Sequence, residues 1–213
     1  MVLLDANEIV ERYERFMSLI AKDDRSEQLV AMYENRWPQQ LVEAPASDRP
    51  HFHNAFPGGY LDHILTVYDC SVKIAKMYYD LGGNIDFTPQ ELRFAALHHD
   101  LGKLGQNDQE PYYVDQDSDW HRNKLGQMYK FNEIQYMDAA ERGLSILHEE
   151  GIPITQKEWL GIRLADGMFK EANKSYLKNS MYPYPMRTQL PWIIHQADYM
   201  ATTFERERAH FGG

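Results

Sequence analysis

Three places in the chain hold residues of the kind that bind metal ions. His63 stands near the start of one long helical stretch, the adjacent pair His99-Asp100 near the end of a second, and Asp198 in the middle of the last. Imidazole nitrogen with carboxylate oxygen is a ligand mixture suited to a divalent transition metal, and two of each leave positions open for water and substrate. Neighbouring residues on a helix diverge by about 100°. His99 and Asp100 can therefore converge on one ion only where a helix ends. His98-His99-Asp100-Leu101-Gly102-Lys103 offers such an end, with a chain-stopping glycine and a lysine shortly past the acid. Lys103 at the edge of that ion could hold a phosphate oxygen and stabilise charge developing during group transfer. A lysine at a helix C-terminus could equally serve the macrodipole.

Each of these residues has a plainer reading. His63 could be a hydrogen-bonded histidine at a helix start. Asp198 could be a surface acid, but Trp192, Ile193, Ile194, Ala197 and Met200 surround it, and an unpaired buried carboxylate is costly. Asp166 is its rival as the last ligand. His98 reads as a packed helix residue or as support for its neighbours, and His195, one turn before Asp198, fits the site, the core or the surface. His148 reads as structural and Cys70 as a small buried hydrophobe. His53, Arg122 and Lys124 are candidate substrate contacts. The two cations share a polar segment with Trp120 and Tyr129, a mixture that could hold phosphate and stack a base, or simply be a solvated loop.

The elements that must position these residues are helical nearly throughout. Ile9, Val10, Tyr13, Phe16, Met17 and Ile20 form one stripe over residues 5–22, with Asp5 as N-cap. A second helix is expected over Ser26–Asn35, then a loop from Trp37 to Pro57. Gly58-Gly59 opens a long helix from about Tyr60 to Leu81, stopped by Gly82-Gly83. Thr88-Pro89-Gln90-Glu91 combines a cap, a proline at the first helical position and a capping box, and its helix should end near Gly102 or Gly105. Residues 106–130 read as a long polar loop, of a length that is more often functional than filler. Helices are expected from Asn132 to Glu150, from the Thr155-Gln156-Lys157-Glu158 box to Phe169, and from Leu190 to Ala209. Between the last two lies a basic connection over residues 170–189 with Lys170, Lys174, Lys178 and Arg187. No segment alternates with period two over strand length, and there is no internal repeat. The expected fold class is all-α, a single domain over residues 1–213 with residues 1–45 as an added N-terminal helical layer.

Composition narrows the function. The chain has 213 residues, enough for one large core, with 43% hydrophobic and 25% charged residues. Mean hydropathy is −0.61, and no apolar run approaches the roughly 18 residues of a membrane span. The start, Met1-Val2-Leu3-Leu4-Asp5, lacks the basic and apolar regions of a signal peptide, so a cytoplasmic location without membrane association is the expectation. The 32 acidic against 22 basic residues give a net charge of −10, which argues against extended nucleic-acid binding but not against one small anionic substrate held by a few local cations. A single cysteine excludes an intramolecular disulfide framework and a cysteine-based zinc site, leaving histidine and carboxylate as ligands.

Taken together, these residues resemble the HD-domain metal-dependent phosphohydrolase superfamily. The shared pattern is a His, a His-Asp pair followed by x-Gly-Lys, and a distant Asp, all on helices, over roughly residues 51–205. The block His53-Asn54-Ala55-Phe56-Pro57-Gly58-Gly59-Tyr60-Leu61-Asp62-His63 is also similar to the His-x-Ala-x-x-Gly-Gly-x-x-x-His segment of the HD domain in a bacterial 3′→5′ exoribonuclease family. The resemblance implies an HD-type helical bundle that binds metal through His63, His99, Asp100 and Asp198. Two-metal members carry further histidines between the His-Asp pair and the final Asp. Here that stretch has only His121 and His148, and Leu164-Ala165-Asp166-Gly167 stands where a His-His-Gly would fall. One divalent metal (Mn, Fe, Co, Ni or Zn) is therefore expected. The oligonucleotide-binding barrel of the exoribonuclease family has no counterpart in this sequence, which argues against a processive nuclease. The implied activity is hydrolysis of a phosphate ester or anhydride of a nucleotide or similar small phosphorylated substrate. A metal-activated water would be the nucleophile, Asp100 both ligand and proton acceptor, and Lys103 the phosphate contact. The alternatives are a phosphodiesterase or nuclease on the same centre, and a non-catalytic nucleotide-binding regulatory module.

Overall fold

The computed structural model describes residues 3–133, 137–178 and 188–211, with side chains as far as residue 209. Arg187 of the expected basic connection lies outside the described residues. The architecture is all-α: ten helices are described, with one small hairpin as the exception. Helix α1 (Ala6–Ile20) begins at a capping box in which Asp5 and Glu8 satisfy each other's backbone N–H groups, and it buries Phe16, Leu19 and Ile20. Helix α2 (Ser26–Arg36) adds Leu29, Met32 and Tyr33 to the same core. A four-residue helix, α3 (Gln40–Glu43), sits in the segment expected to be loop and docks Leu41 against that core.

Helix α4 (Gly59–Asp80) is the central element and packs against α10 (Leu190–Phe211), α5 (Pro89–His98) and α1. It starts where Gly58 turns left-handed, at φ +79°, and where Gly59 approaches the Asn54 carbonyl so closely that a Cβ would lie 2.1 Å from the oxygen. Only glycine fits there. Helix α5 starts as expected, at the Thr88 capping box with Pro89 in its first turn. It ends at His98, and a 3₁₀ turn over Leu101–Leu104 reverses the chain. Two apolar clusters result, one under α1, α2 and the first half of α4, the other between the second half of α4, α5 and α10.

The segment after this turn departs from the expected loop. Tyr113–Asp115 (β1) pairs antiparallel with Tyr129–Phe131 (β2), Tyr113 opposite Phe131, and a short helix, α6 (Asp119–Leu125), rises between them. Three-residue strands are too short for a period-two pattern to show in sequence. Ser118 caps α6 and Gly126, at φ +64°, ends it. Helix α7 (Ala139–Glu149) begins at an Asp138 cap rather than at Asn132. Helix α8 (Gln156–Arg163) opens at the Thr155 capping box but stops short of Phe169. Gly167 has φ +54°, and a Cβ there would lie 2.0 Å from the His195 ring, so the close approach of α10 breaks the helix into a 3₁₀ turn. Helix α9 (Glu171–Leu177) occupies part of the expected connection. No helix among the described residues is long and apolar enough to cross a membrane.

The turn that carries the His-Asp pair is locked by α7. A Cβ on Gly102 would lie 2.1 Å from the Ala139 carbonyl oxygen and 2.8 Å from the Arg142 Cβ. Gly102→Ala should therefore push α7 outward and destabilise the protein by about 1–3 kcal/mol. For a chain of this size that is roughly 2–4 °C of melting temperature per kcal/mol. Thermal melting followed by circular dichroism checks it, and a melting point equal to wild type would show that α7 yields without cost.

Candidate metal centre

Four elements converge on one point. His63 sits one turn into α4, His99 closes α5, Asp100 opens the 3₁₀ turn and Asp198 lies in the first half of α10. His63 Nε2, His99 Nε2 and Asp198 Oδ1 all lie within 4.8 Å of one another. His63 Nε2 is 3.2 Å from Asp198 Oδ1, and Asp100 Oδ2 is 3.6 Å from both imidazole Nε2 atoms. The helix end does what the pair required: the chain leaves α-geometry at Asp100, and adjacent side chains turn to the same side.

The two histidines are oriented from behind. His99 Nδ1 donates to the Ala96 carbonyl at 2.8 Å, and His63 Nδ1 donates to Glu205 Oε2 at 3.0 Å. Each ring thereby commits its Nδ1 proton and turns Nε2 toward the carboxylates. Both Nε2 atoms are buried and have no well-aligned hydrogen-bond partner among the described residues, although His63 Nε2 lies close to Asp198. Two imidazole Nε2 atoms face two carboxylates, with both rings and Asp100 buried and Asp198 partly so, a set that a cation completes. The donors are mixed nitrogen and oxygen, as divalent transition metals favour, and the Glu205–His63 contact is the carboxylate–histidine support common behind such ligands.

The charges answer one another. Burial alone would depress the pKa of His63, but Glu205 and Asp198 outweigh it and push the imidazole up to about 10. Burial works to raise Asp198, yet His63, His99 and Lys103 hold it below the usual carboxylate range. For Asp100 the same burial penalty is outweighed first by Lys103, then by His99 and His63. Lys103 Nζ lies 2.6 Å from Asp100 Oδ2. Burial disfavours its charge, but Asp100 and the Tyr113 phenol nearby raise it above an ordinary lysine. Lys103 is thus turned onto Asp100.

The other residues named from sequence fall differently. His53 lies beside the cluster, its ring centroid 4.6 Å from that of His63. Burial, and then His63 and Lys103, hold its pKa well below the ordinary histidine value. Arg122 and Lys124 stand on α6. Arg122 is tied to Asp119 and the Gln116 carbonyl, Lys124 is exposed, and no described hydrogen bond or ion pair joins either to the cluster. Asp166 pairs with Lys170 at 2.9 Å, and His195 Nδ1 donates to the Ala165 carbonyl at 3.0 Å. His98 stacks on Phe94 and donates to its carbonyl, deep in the core. His121 bonds Ser118, and His148 is exposed.

Sequence reasoning missed Glu205. The signal was there: it stands two turns after Asp198, on the same face of the same apolar helix. Tyr113 was also missed, because its approach to Lys103 depends on the hairpin.

A family model described as HD domain matches residues 60–203, a span that contains His63, His99, Asp100, Lys103 and Asp198 and stops short of His53 and Glu205. No curated protein and no solved structure matches the chain.

Two outcomes are expected of the centre. Glu205→Ala should weaken retention of a divalent metal by about 10- to 100-fold, because His63 loses the group that fixes its tautomer. Competition with a chromophoric chelator measures it, and unchanged affinity would remove Glu205 from the centre. In the metal-free protein His63 carries a proton up to about pH 10. A ligand must shed that proton, so apparent metal affinity should climb as pH rises from 7 toward 10. The same titration at several pH values tests this, and a flat profile would contradict it.

Proposed function

The chain belongs to the HD domain family, whose members are typically metal-dependent hydrolases, and on that premise we propose that it is a metal-dependent phosphohydrolase acting on a small phosphate ester or anhydride, with a nucleotide as the expected substrate. The observation that carries this reading is the pair of unpartnered imidazole Nε2 atoms facing Asp100 and Asp198. His63, His99, Asp100 and Asp198 would hold one divalent transition metal, Mn, Fe, Co, Ni or Zn. The chemistry supplied by that metal when bound is a water of lowered pKa and a Lewis acid for a phosphoryl oxygen.

The chain's own residues do the rest. His63 and His99 enter neutral, each with its proton parked on Nδ1 against Glu205 or Ala96. Asp100 is kept ionised by Lys103 and can accept a hydrogen bond, then a proton, from the attacking water. Lys103 has three N–H donors and spends one on Asp100, which leaves donors for phosphoryl oxygens. A groove of about 460 Å³ is lined by Pro45, Pro57, Tyr113 and Tyr129, and the Tyr113 phenol is within electrostatic range of Lys103. Its charged lining residues are Glu43 and Asp115. Such a groove suits an uncharged organic group, such as a nucleoside, better than further phosphates.

The deciding experiment is elemental analysis together with a hydrolysis screen that follows phosphate or pyrophosphate release from nucleoside mono-, di- and triphosphates and nitrophenolate release from bis-nitrophenyl phosphate. Metal-dependent release from at least one of them is expected. A metal-loaded protein that hydrolyses none of them would overturn the reading. Lys103→Ala should keep its metal and lose about ten- to a hundred-fold in turnover, the size of a charge-assisted hydrogen bond in the transition state. Unchanged kinetics with a lowered melting point would make Lys103 a structural partner of Asp100 only.

A further inference from the structure

The four-ligand set leaves one neighbour unexplained. Among the described residues, both ring nitrogens of His53 are buried without a hydrogen-bond partner. A neutral imidazole carries one donor and one acceptor, and leaving both unmet out of water is a costly arrangement in a native protein. The ring is not stranded in an apolar core. It flanks His63 and lies within electrostatic reach of Lys103, Asp198 and Asp100.

The backbone that presents it is built with care. Asn54 has φ +43°, the one positive φ among the described non-glycine residues. Its carbonyl accepts the Ala46 N–H at 3.0 Å and closes on Gly59, where a side chain would collide. Its side chain donates to Asp62 Oδ2 at 3.0 Å. Asp62 is buried and is itself held by Arg12 at 2.6 Å and Arg208 at 3.1 Å. The His53 carbonyl accepts from Ser47 Oγ at 2.8 Å. A left-handed non-glycine residue persists only where its surroundings over-determine it, and such residues gather at functional sites. Contacts from α1, α4, α10 and the 44–47 segment all serve to fix one residue whose neighbour aims an unpartnered ring at the centre.

We propose that His53 contacts the substrate, its ring N–H donating a hydrogen bond to an oxygen of the phosphoryl group held at the centre alongside Lys103, and that Asn54, Asp62, Arg12 and Arg208 position it. This rests on the phosphohydrolase reading of the site. The competing role is that of a metal ligand, since His53, His63 and Glu205 offer atoms within 4.8 Å of one another. That set would have to break the 3.0 Å bond in which Glu205 already takes the His63 Nδ1 proton.

The two roles separate by calorimetric titration of inorganic phosphate into the metal-loaded protein, with metal content measured on the same samples. His53→Ala should keep its metal and bind phosphate about ten- to a hundred-fold more weakly. His53→Gln, which retains an N–H donor, should recover part of the loss. Asn54→Val, which disfavours the left-handed backbone, should weaken phosphate binding as His53→Ala does. Asn54→Gly, which keeps that backbone accessible, should stay nearer wild type. Melting curves identify any variant that fails to fold. Wild-type phosphate affinity in His53→Ala overturns the proposal, and so does loss of the metal, which would make His53 a ligand. A wild-type protein that takes up metal but neither binds phosphate nor releases it from esters overturns the phosphohydrolase reading along with this one.

Discussion

Two carboxylates, Asp100 buried and Asp198 partly exposed, face one centre from neighbouring elements, and the rest of the molecule is arranged so that positive charge meets them there. Isolated, each would face a desolvation penalty of several kcal/mol. His63, His99 and Lys103 surround them closely enough to keep both ionised despite burial. That balance requires α4, α5 and α10 to be packed together. The apolar stretches of α4 and α10 interlock through Val67, Ile74, Ile193, Ile194 and Ala197, and the cost of the polar centre is offset by this core.

Around the centre, orientation is delegated to groups that do not face it. Glu205 fixes the His63 tautomer, the Ala96 carbonyl fixes that of His99, and α7 clamps the turn carrying Asp100 through the close contact at Gly102. Short, rigid contacts of this kind hold a constellation more tightly than loop flexibility would allow, which matters where a misplacement of about 1 Å can cost two orders of magnitude in rate. On the opposite side, Asp62 ties α1 and the end of α10 to the turn before α4. The N-terminal helix is therefore mechanically connected to the site.

The hairpin and α6 lie outside the packed helices that carry the centre. Tyr112, Tyr113 and Phe131 pack edge-on and tilted against one another, with the Tyr113 phenol within electrostatic range of Lys103. The groove beside them carries acids on its lining.

The sequence by itself determined the longer helices and offered most of the candidate residues for chemistry, while the short helices α3, α6 and α9 fell in segments it left as loop or connection. The Asp5, Thr88 and Thr155 caps, the Gly58-Gly59 start and the His-Asp-x-Gly-Lys turn act within a few residues of themselves, so local pattern suffices to read them. What lies between distant residues was not legible. His63 and Glu205 are 142 residues apart in the chain, and their bond exists because α4 and α10 cross at one angle and register. The end of α8 depends on where His195 of α10 presses against Gly167. The hairpin depends on a pairing too short to leave a periodic trace. Periodicity shows which face of a helix is apolar, but it does not say which other helix covers that face or at what height. Only the packed core decides which lone pairs and carboxylates end up opposite one another.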